Sequence, residues 1–305
     1  MRIVLALMLY GACLHAAPLA VTMRVVRVPG GPRMAVWYPE AHSPDGHAGE
    51  RFPLVLFSHG LDGCGTQSVF FTESLAGAGY VVAAPDHRDA SCSVEGRRIP
   101  RVHLPRLSFA NPRAWKDTTY ADRREDLENA LDWILRSEDF EPMIDASRIG
   151  AAGHSLGGYA VLGLAGARES WKDPRIRAAV VFAPYVKPYL IQARLASVGV
   201  PVMYQGAQFD LSMTPSLRGS HGAFALSNAP KYYLELRRAT HFEWTNGICW
   251  GYRQIADCVA NRTNARLIVE YAVAFFDRYL KQRTEALEAL DGRGLRSSRR
   301  AASAD

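Results

Sequence analysis

The feature that most constrains this chain is a series of short, unbroken apolar runs, most of them followed by a segment of helical character. The runs are residues 52–58 (FPLVLFS), 80–85 (YVVAAP), 147–152 (SRIGAA), 177–183 (RAAVVFA), 201–205 (PVMYQ) and 231–236 (KYYLEL). Few of them alternate apolar with polar residues, so the strands they form must be covered on both faces. Between them, residues 66–77, 119–140, 156–167 and 268–281 read as helices. The second carries Leu127, Leu131, Ile134 and Leu135 on one face, and the last carries Val269, Val273, Phe276 and Leu280 at helical spacing. Strands joined by helical crossovers make a parallel sheet with helices on both sides, an α/β fold. Ahead of them, residues 21–28 and 33–38 flank Pro29-Gly30-Gly31-Pro32 and suit an antiparallel hairpin at the sheet edge.

At 305 residues and 48% hydrophobic, the chain can bury one large core. It has no internal repeat and no second domain boundary, so residues 21–282 are expected to form a single domain. Residues 292–305 (GRGLRSSRRAASAD) lack periodicity, and residues 283–305 are expected to be a disordered basic tail. Residues 1–20 place one basic residue before an apolar run and then small residues, the order of a secretory signal peptide. The alternatives are a buried first strand and a lipoprotein cut before Cys13, for which Tyr10 is a poor neighbour. No later apolar run is long enough to span a bilayer. The mature protein is therefore expected to be soluble and secreted or periplasmic. With Cys13 removed, Cys64, Cys92, Cys249 and Cys258 remain, and four cysteines allow three pairings. Proximity favours Cys249–Cys258. Zinc is the competing use, but the chain has no C-x-x-C and no paired histidines at ligand spacing.

The net charge of +6 is not the signature of a nucleic-acid binder. It is matched by one stretch alone, residues 96–116, which holds Arg97, Arg98, Arg101, Arg106, Arg113 and Lys116 and no acid. Two readings of it stand: a rim that attracts anionic substrate or makes transient contact with a membrane surface, and a solvated loop.

Gly153-His154-Ser155-Leu156-Gly157 is a G-x-S-x-G motif entered by a buried strand and left by a helix. So tight a strand-to-helix turn lifts a serine hydroxyl clear of its backbone, and the glycines let neighbouring segments approach. A serine hydroxyl becomes a useful nucleophile when a base takes its proton and an acid orients that base. Two histidines follow Ser155, His221 and His241. Only His241 comes directly after a predicted strand, so it is the expected base. Between Asp173 and Glu235 the one carboxylate is Asp210, the expected acid. Backbone N–H groups of Leu156, after the nucleophile, and Leu61, in the loop after residues 52–58, are expected to hold an oxyanion. Beside them His59, His87 and His154 are expected to hold loops by hydrogen bonds. Tyr185, Phe209, Met213, Phe242 and Trp244 are candidates, with Leu61, for an apolar acyl or aryl pocket.

These residues resemble the α/β-hydrolase superfamily over most of residues 21–281. The stretch FSHGLDGCGTQSVFFTESLAGAGYVVAAPDHRDAS is similar to platelet-activating-factor acetylhydrolases and dienelactone-hydrolase-like proteins. GTQS, VPVMYQGAQFD and KYYLELRRATHF look more like bacterial cutinase-type polyester hydrolases, a likeness that also places the acid at Asp210 and the base at His241. Animal platelet-activating-factor acetylhydrolases carry the acid after the preceding strand, where this chain has Ala183-Pro184-Tyr185. Dienelactone hydrolases proper use cysteine where this chain has Ser155. The superfamily's sheet order makes the strands ending at Ser58 and Pro85 neighbours, which implies a Cys64–Cys92 pairing.

The resemblance implies a serine hydrolase of carboxylic esters, acting on small-molecule, lipid or polyester substrates with no metal or organic cofactor. A short-chain acetylhydrolase, a serine peptidase and a non-catalytic binding protein on the same scaffold are the alternatives.

Overall fold

The computed structural model describes residues 18–40, 51–95, 98, 109–288 and 296–298. Nine strands form one sheet: β1 (Val21–Arg27), β2 (Arg33–Pro39), β3 (Phe52–Ser58), β4 (Val81–Pro85), β5 (Ile144–His154), β6 (Ile176–Phe182), β7 (Val202–Ala207), β8 (Lys231–Leu236) and β9 (Arg296–Ser298). Their spatial order is β1-β2-β4-β3-β5-β6-β7-β8-β9. The six strands from β4 to β8 run parallel. The hairpin β1–β2 and the strand β9 add antiparallel edges. The helices are α1 (Val69–Gly77), α2 (Ala121–Ile134), α3 (Leu156–Leu162), α4 (Lys187–Ile191), α5 (Ala223–Leu226), α6 (Ile255–Asn261), α7 (Thr263–Leu280) and α8 (Glu285–Glu288). This is the α/β-hydrolase fold.

The alternation of strand side chains builds two cores from one sheet. Leu54 and Leu56 of β3, Ile149 and Ala151 of β5, and Val202 and Tyr204 of β7 face the layer holding α2 and α3. Val55 and Phe57, Ala152, and Met203 and Ala207 face the opposite layer, where α1 and α7 pack. Apolar side chains on both faces explain why these strands read as unbroken runs.

Helix α2 ends at Ile134, short of the expected 140, and residues 255–261 form a helix that had no clear apolar stripe. The expected signal peptide lies outside the described residues but for its last three positions. So does most of the basic segment 96–116. The tail departs from expectation: Arg296–Ser298 pairs with Lys231–Tyr233 of β8. Both disulfides are formed as expected, Cys64–Cys92 and Cys249–Cys258. The first ties the loop after β3 to the connection after β4, which leave the sheet at the same end.

Candidate active site

Strand β5 runs into α3 through Ser155, whose backbone sits at φ 55°, ψ −115°, a conformation that non-glycine residues rarely adopt. It is held there by Ser155 N–H donating to the Phe182 carbonyl of β6 (2.9 Å), and by its own carbonyl accepting from Tyr159 and Tyr185 N–H (3.2 and 3.1 Å). The glycines of the motif serve close approach. A Cβ on Gly157 would collide with the Ser58 carbonyl, and one on Gly153 would lie 2.5 Å from the Gly157 carbonyl oxygen. The start of α3 is thereby pressed against the loop His59-Gly60-Leu61.

Ser155 Oγ lies 3.0 Å from His241 Nε2, and His241 Nδ1 lies 2.8 Å from Asp210 Oδ2. A carboxylate accepts, so Nδ1 carries the proton and Nε2 presents its lone pair to the serine hydroxyl. Asp210 is itself saturated: Oδ1 accepts from Ser212 N–H and Oγ–H and from Met213 N–H (3.1, 2.7 and 3.0 Å). Burial pushes against ionisation of Asp210. The hydrogen bonds from His241 and Ser212 outweigh it and hold the carboxyl down at about 2. Sequence reasoning missed Ser212. Its signal is a hydroxyl two residues after a loop aspartate, the spacing of an Asx turn.

His154 lies under His241, ring to ring at 4.8 Å. Its Nε2–H donates to the His241 carbonyl (2.9 Å), and its Nδ1 accepts from Gln67 Nε2–H (3.0 Å). Burial, then the neighbouring His241, push its pKa down to about 3, so it stays neutral and serves as both donor and acceptor. Gln67 in turn accepts the Gly60 N–H on Oε1 (3.0 Å). The chain Gly60–Gln67–His154–His241 thus ties the loop after β3 to the loop that carries His241. His59 and His87 hold loops in the same manner. His59 Nδ1–H donates to the Gly60 carbonyl (2.6 Å), and its Nε2 accepts from His87 N–H (3.0 Å). His87 lies between Ser58 Oγ and Asp126 Oδ2 (2.8 and 3.2 Å).

Leu156 is the first residue of α3, so its N–H lies outside the i→i−4 ladder. Leu61 is half-buried at the turn after Gly60. The pocket candidates divide. Phe209 and Phe242 flank Asp210 and His241 and are 57% and 69% exposed, while Met213 is half-buried between the two cores. Tyr185 and Trp244 are 1% exposed and lie behind the site instead of at its mouth. Each has a polar tip that must be satisfied inside. Tyr185 Oη–H donates to the Phe109 carbonyl (2.8 Å), and Trp244 Nε1–H donates to Gln205 Oε1 (3.1 Å). His221 is exposed and bonds locally to Ser220 Oγ (3.0 Å).

The fold, and a serine at a strand-to-helix elbow, define the serine-dependent α/β-hydrolases, and the family match places the chain among those that hydrolyse carboxylic esters. The chain belongs to the PET hydrolase-like family, whose sequence model matches residues 62–286. It is 27% identical over 242 residues to Cutinase est1 of Thermobifida alba, covering 76% of this chain and 70% of that protein. It is equally 27% identical to Cutinase 2 of Thermobifida cellulosilytica, covering 76% and 79%. With the platelet-activating factor acetylhydrolase of Cavia porcellus it shares 26% identity over 164 residues, 46% of this chain and only 36% of that protein's length.

Proposed function

We propose that this protein is an exported hydrolase of extended, apolar carboxylic esters that works through an acyl-enzyme on Ser155. The observation that carries this reading is the unbroken hydrogen-bond chain from Asp210 through His241 to Ser155 at the head of the elbow. His241 Nε2 takes the hydroxyl proton as Ser155 Oγ attacks the ester carbonyl. Asp210 fixes the tautomer and stabilises the imidazolium. The N–H groups of Leu61 and Leu156 receive the oxyanion, and its collapse expels the alcohol, protonated by His241. Water then enters, His241 again accepts a proton, and the acyl–serine bond is hydrolysed to release the acid and restore Ser155.

The extended-ester reading is supported by Phe209, Leu211 and Phe242, which leave an apolar rim open beside the triad. Leu211 is the most exposed of the three, at 79%. Cutinase relatives and the PET hydrolase-like family point the same way. Export is supported by two disulfides, which persist in oxidising compartments, and by the signal-like sequence of residues 1–20.

The test is hydrolysis of p-nitrophenyl esters from acetate to palmitate, and of a polyester film, with Ser155→Ala beside the wild type. The variant should lose at least about 10³-fold in kcat. Activity that persists in the variant would remove Ser155 as nucleophile. Activity confined to acetate would favour the acetylhydrolase reading that the Cavia porcellus relative supports.

A further inference from the structure

Arg123 is fully buried on the face of α2 that also carries Asp126 and presents Leu127, Ala130, Leu131 and Ile134 to the core. A guanidinium removed from water is strongly unfavourable unless every donor is matched. Here each nitrogen has a partner. Nε and Nη2 meet the Asp89 carboxylate, with Nη2 at 2.8 and 2.9 Å from its two oxygens. Nη1 donates to the His59 carbonyl (2.6 Å) and, at 3.5 Å, approaches Ser58 Oγ. Nη2 also donates to the Gly60 carbonyl (3.1 Å). Asp89 is buried too, which disfavours its charge, yet Arg123 holds its pKa below the ordinary carboxylate value.

The Gly60 carbonyl and the Leu61 N–H belong to one peptide group. A trans peptide is planar, with its C=O and N–H pointing in opposite directions. Whatever grips the Gly60 oxygen therefore sets the direction of the Leu61 N–H. Two further donors reach that oxygen. Gly63 N–H (3.1 Å) lies in the same loop and moves with it. His59 Nδ1–H (2.6 Å) is a neutral donor whose ring is tied through Nε2 to His87 N–H (3.0 Å), and so shares the anchoring with Arg123. Arg123 stands on α2 and is anchored through Asp89 to the connection after β4, so it fixes the peptide relative to the rest of the molecule. Its charge also draws electron density toward the carbonyl, which makes the N–H a stronger donor.

We propose that Arg123 is a positioning residue for ester hydrolysis: by holding the Gly60 carbonyl it aims and polarises the Leu61 N–H toward the oxyanion of the transition state. This rests on the roles given above to Ser155 and Leu61. A misdirected donor weakens binding of the tetrahedral oxyanion and leaves binding of the planar ester almost untouched. The loss therefore falls on kcat and spares KM.

The experiment compares wild type with Arg123→Lys, which keeps a positive charge but cannot span Asp89 and both carbonyls. Active serines are counted by exhaustive fluorophosphonate labelling, so that misfolded molecules do not enter kcat. With p-nitrophenyl butyrate, kcat per labelled serine should fall about 10- to 100-fold, with KM within about threefold. The inhibition constant of butylboronic acid, whose serine adduct is tetrahedral, should rise by the same factor as kcat falls. Should the lysine variant not fold, the double variant Arg123→Met, Asp89→Leu removes both charges together, an exchange that buried ion pairs commonly tolerate, and the same fall is expected. A folded variant with unchanged kcat and boronate affinity overturns the role of Arg123. A wild type inert on every ester overturns the functional reading, and this inference with it.

Discussion

At the scale of single residues, Asp126 shows how burial shapes the layer beneath the site. Its side chain is nearly closed to solvent and accepts from His87 Nδ1–H and Arg88 N–H (3.2 and 3.3 Å). Burial pushes its pKa from 3.8 up to about 6, against the weaker pull of Arg88. A carboxyl raised on folding favours the folded state below its unfolded pKa. That contribution fades as pH climbs from about 4 through about 6, so above pH 6 the ionised group works against folding. Asparagine keeps an acceptor for both donors and carries no charge. Asp126→Asn should therefore be the more stable protein at pH 8, by up to about 3 kcal/mol, with the advantage vanishing near pH 4. Urea unfolding at intervals across that range is the measurement, and a gap that ignores pH would sink the account. The hydrogen-bonded arrangement of Ser155, His241 and Asp210 was legible in sequence because motif, chain order and the scarcity of candidates converge on these three residues. Arg123 was not singled out, although an arginine four residues before Leu127 on an apolar stripe is a readable anomaly. Its partners Asp89, His59 and Gly60 come from distant segments, and only the folded sheet brings them together.

At the scale of elements, most strands were legible because a parallel strand covered on both faces leaves little room for polar residues. Helix ends were less so. The periodicity of α2 continues past Ile134 in Leu135, yet the chain turns there, and Phe140 packs against Tyr38 and Trp133. The inward burial of Tyr185 and Trp244 was not legible for a related reason: aromatic residues near a predicted mouth carry no mark of which way the backbone turns them. The Cys64–Cys92 bond joins two loops that the parallel pairing of β3 with β4 brings side by side, across 28 residues of sequence. Constraining a loop of that length in the unfolded chain contributes about 3–4 kcal/mol. Replacing both cysteines by alanine should lower stability by roughly that amount in denaturant titrations. The loss should exceed that from the Cys249–Cys258 pair, whose separation is only 9 residues. Equal losses from the two pairs would show that loop length is not what governs them.

At the scale of the whole molecule, the two-layered core follows from patterning, while the adjacency of β3 and β4 was implied by the family resemblance. The far edge of the sheet follows from neither. Arg296-Ser297-Ser298 has no apolar alternation, and what joins it to β8 is backbone pairing opposite Lys231, Tyr232 and Tyr233, which any short extended segment can supply. The consequence is protective, because without β9 the strand β8 presents an open row of N–H and C=O groups, a template for pairing with another chain. β8 carries Lys231 and Glu235 at half-buried positions, a partial guard against such pairing. A chain ending at Glu288 should therefore fold and keep kcat within about twofold, since the pairing lost is at the sheet edge and the hydrogen bonds among Ser155, His241 and Asp210 do not involve β9. Its melting temperature should drop by about 2–4 °C, the shift expected for a loss near 1 kcal/mol in a domain of this size. Light scattering at rising concentration should show association that the full chain does not. A truncated chain that stays monomeric and melts with the full-length protein would mean that β9 neither stabilises nor shields the edge. Edge protection would then rest on the charged side chains of β8 alone.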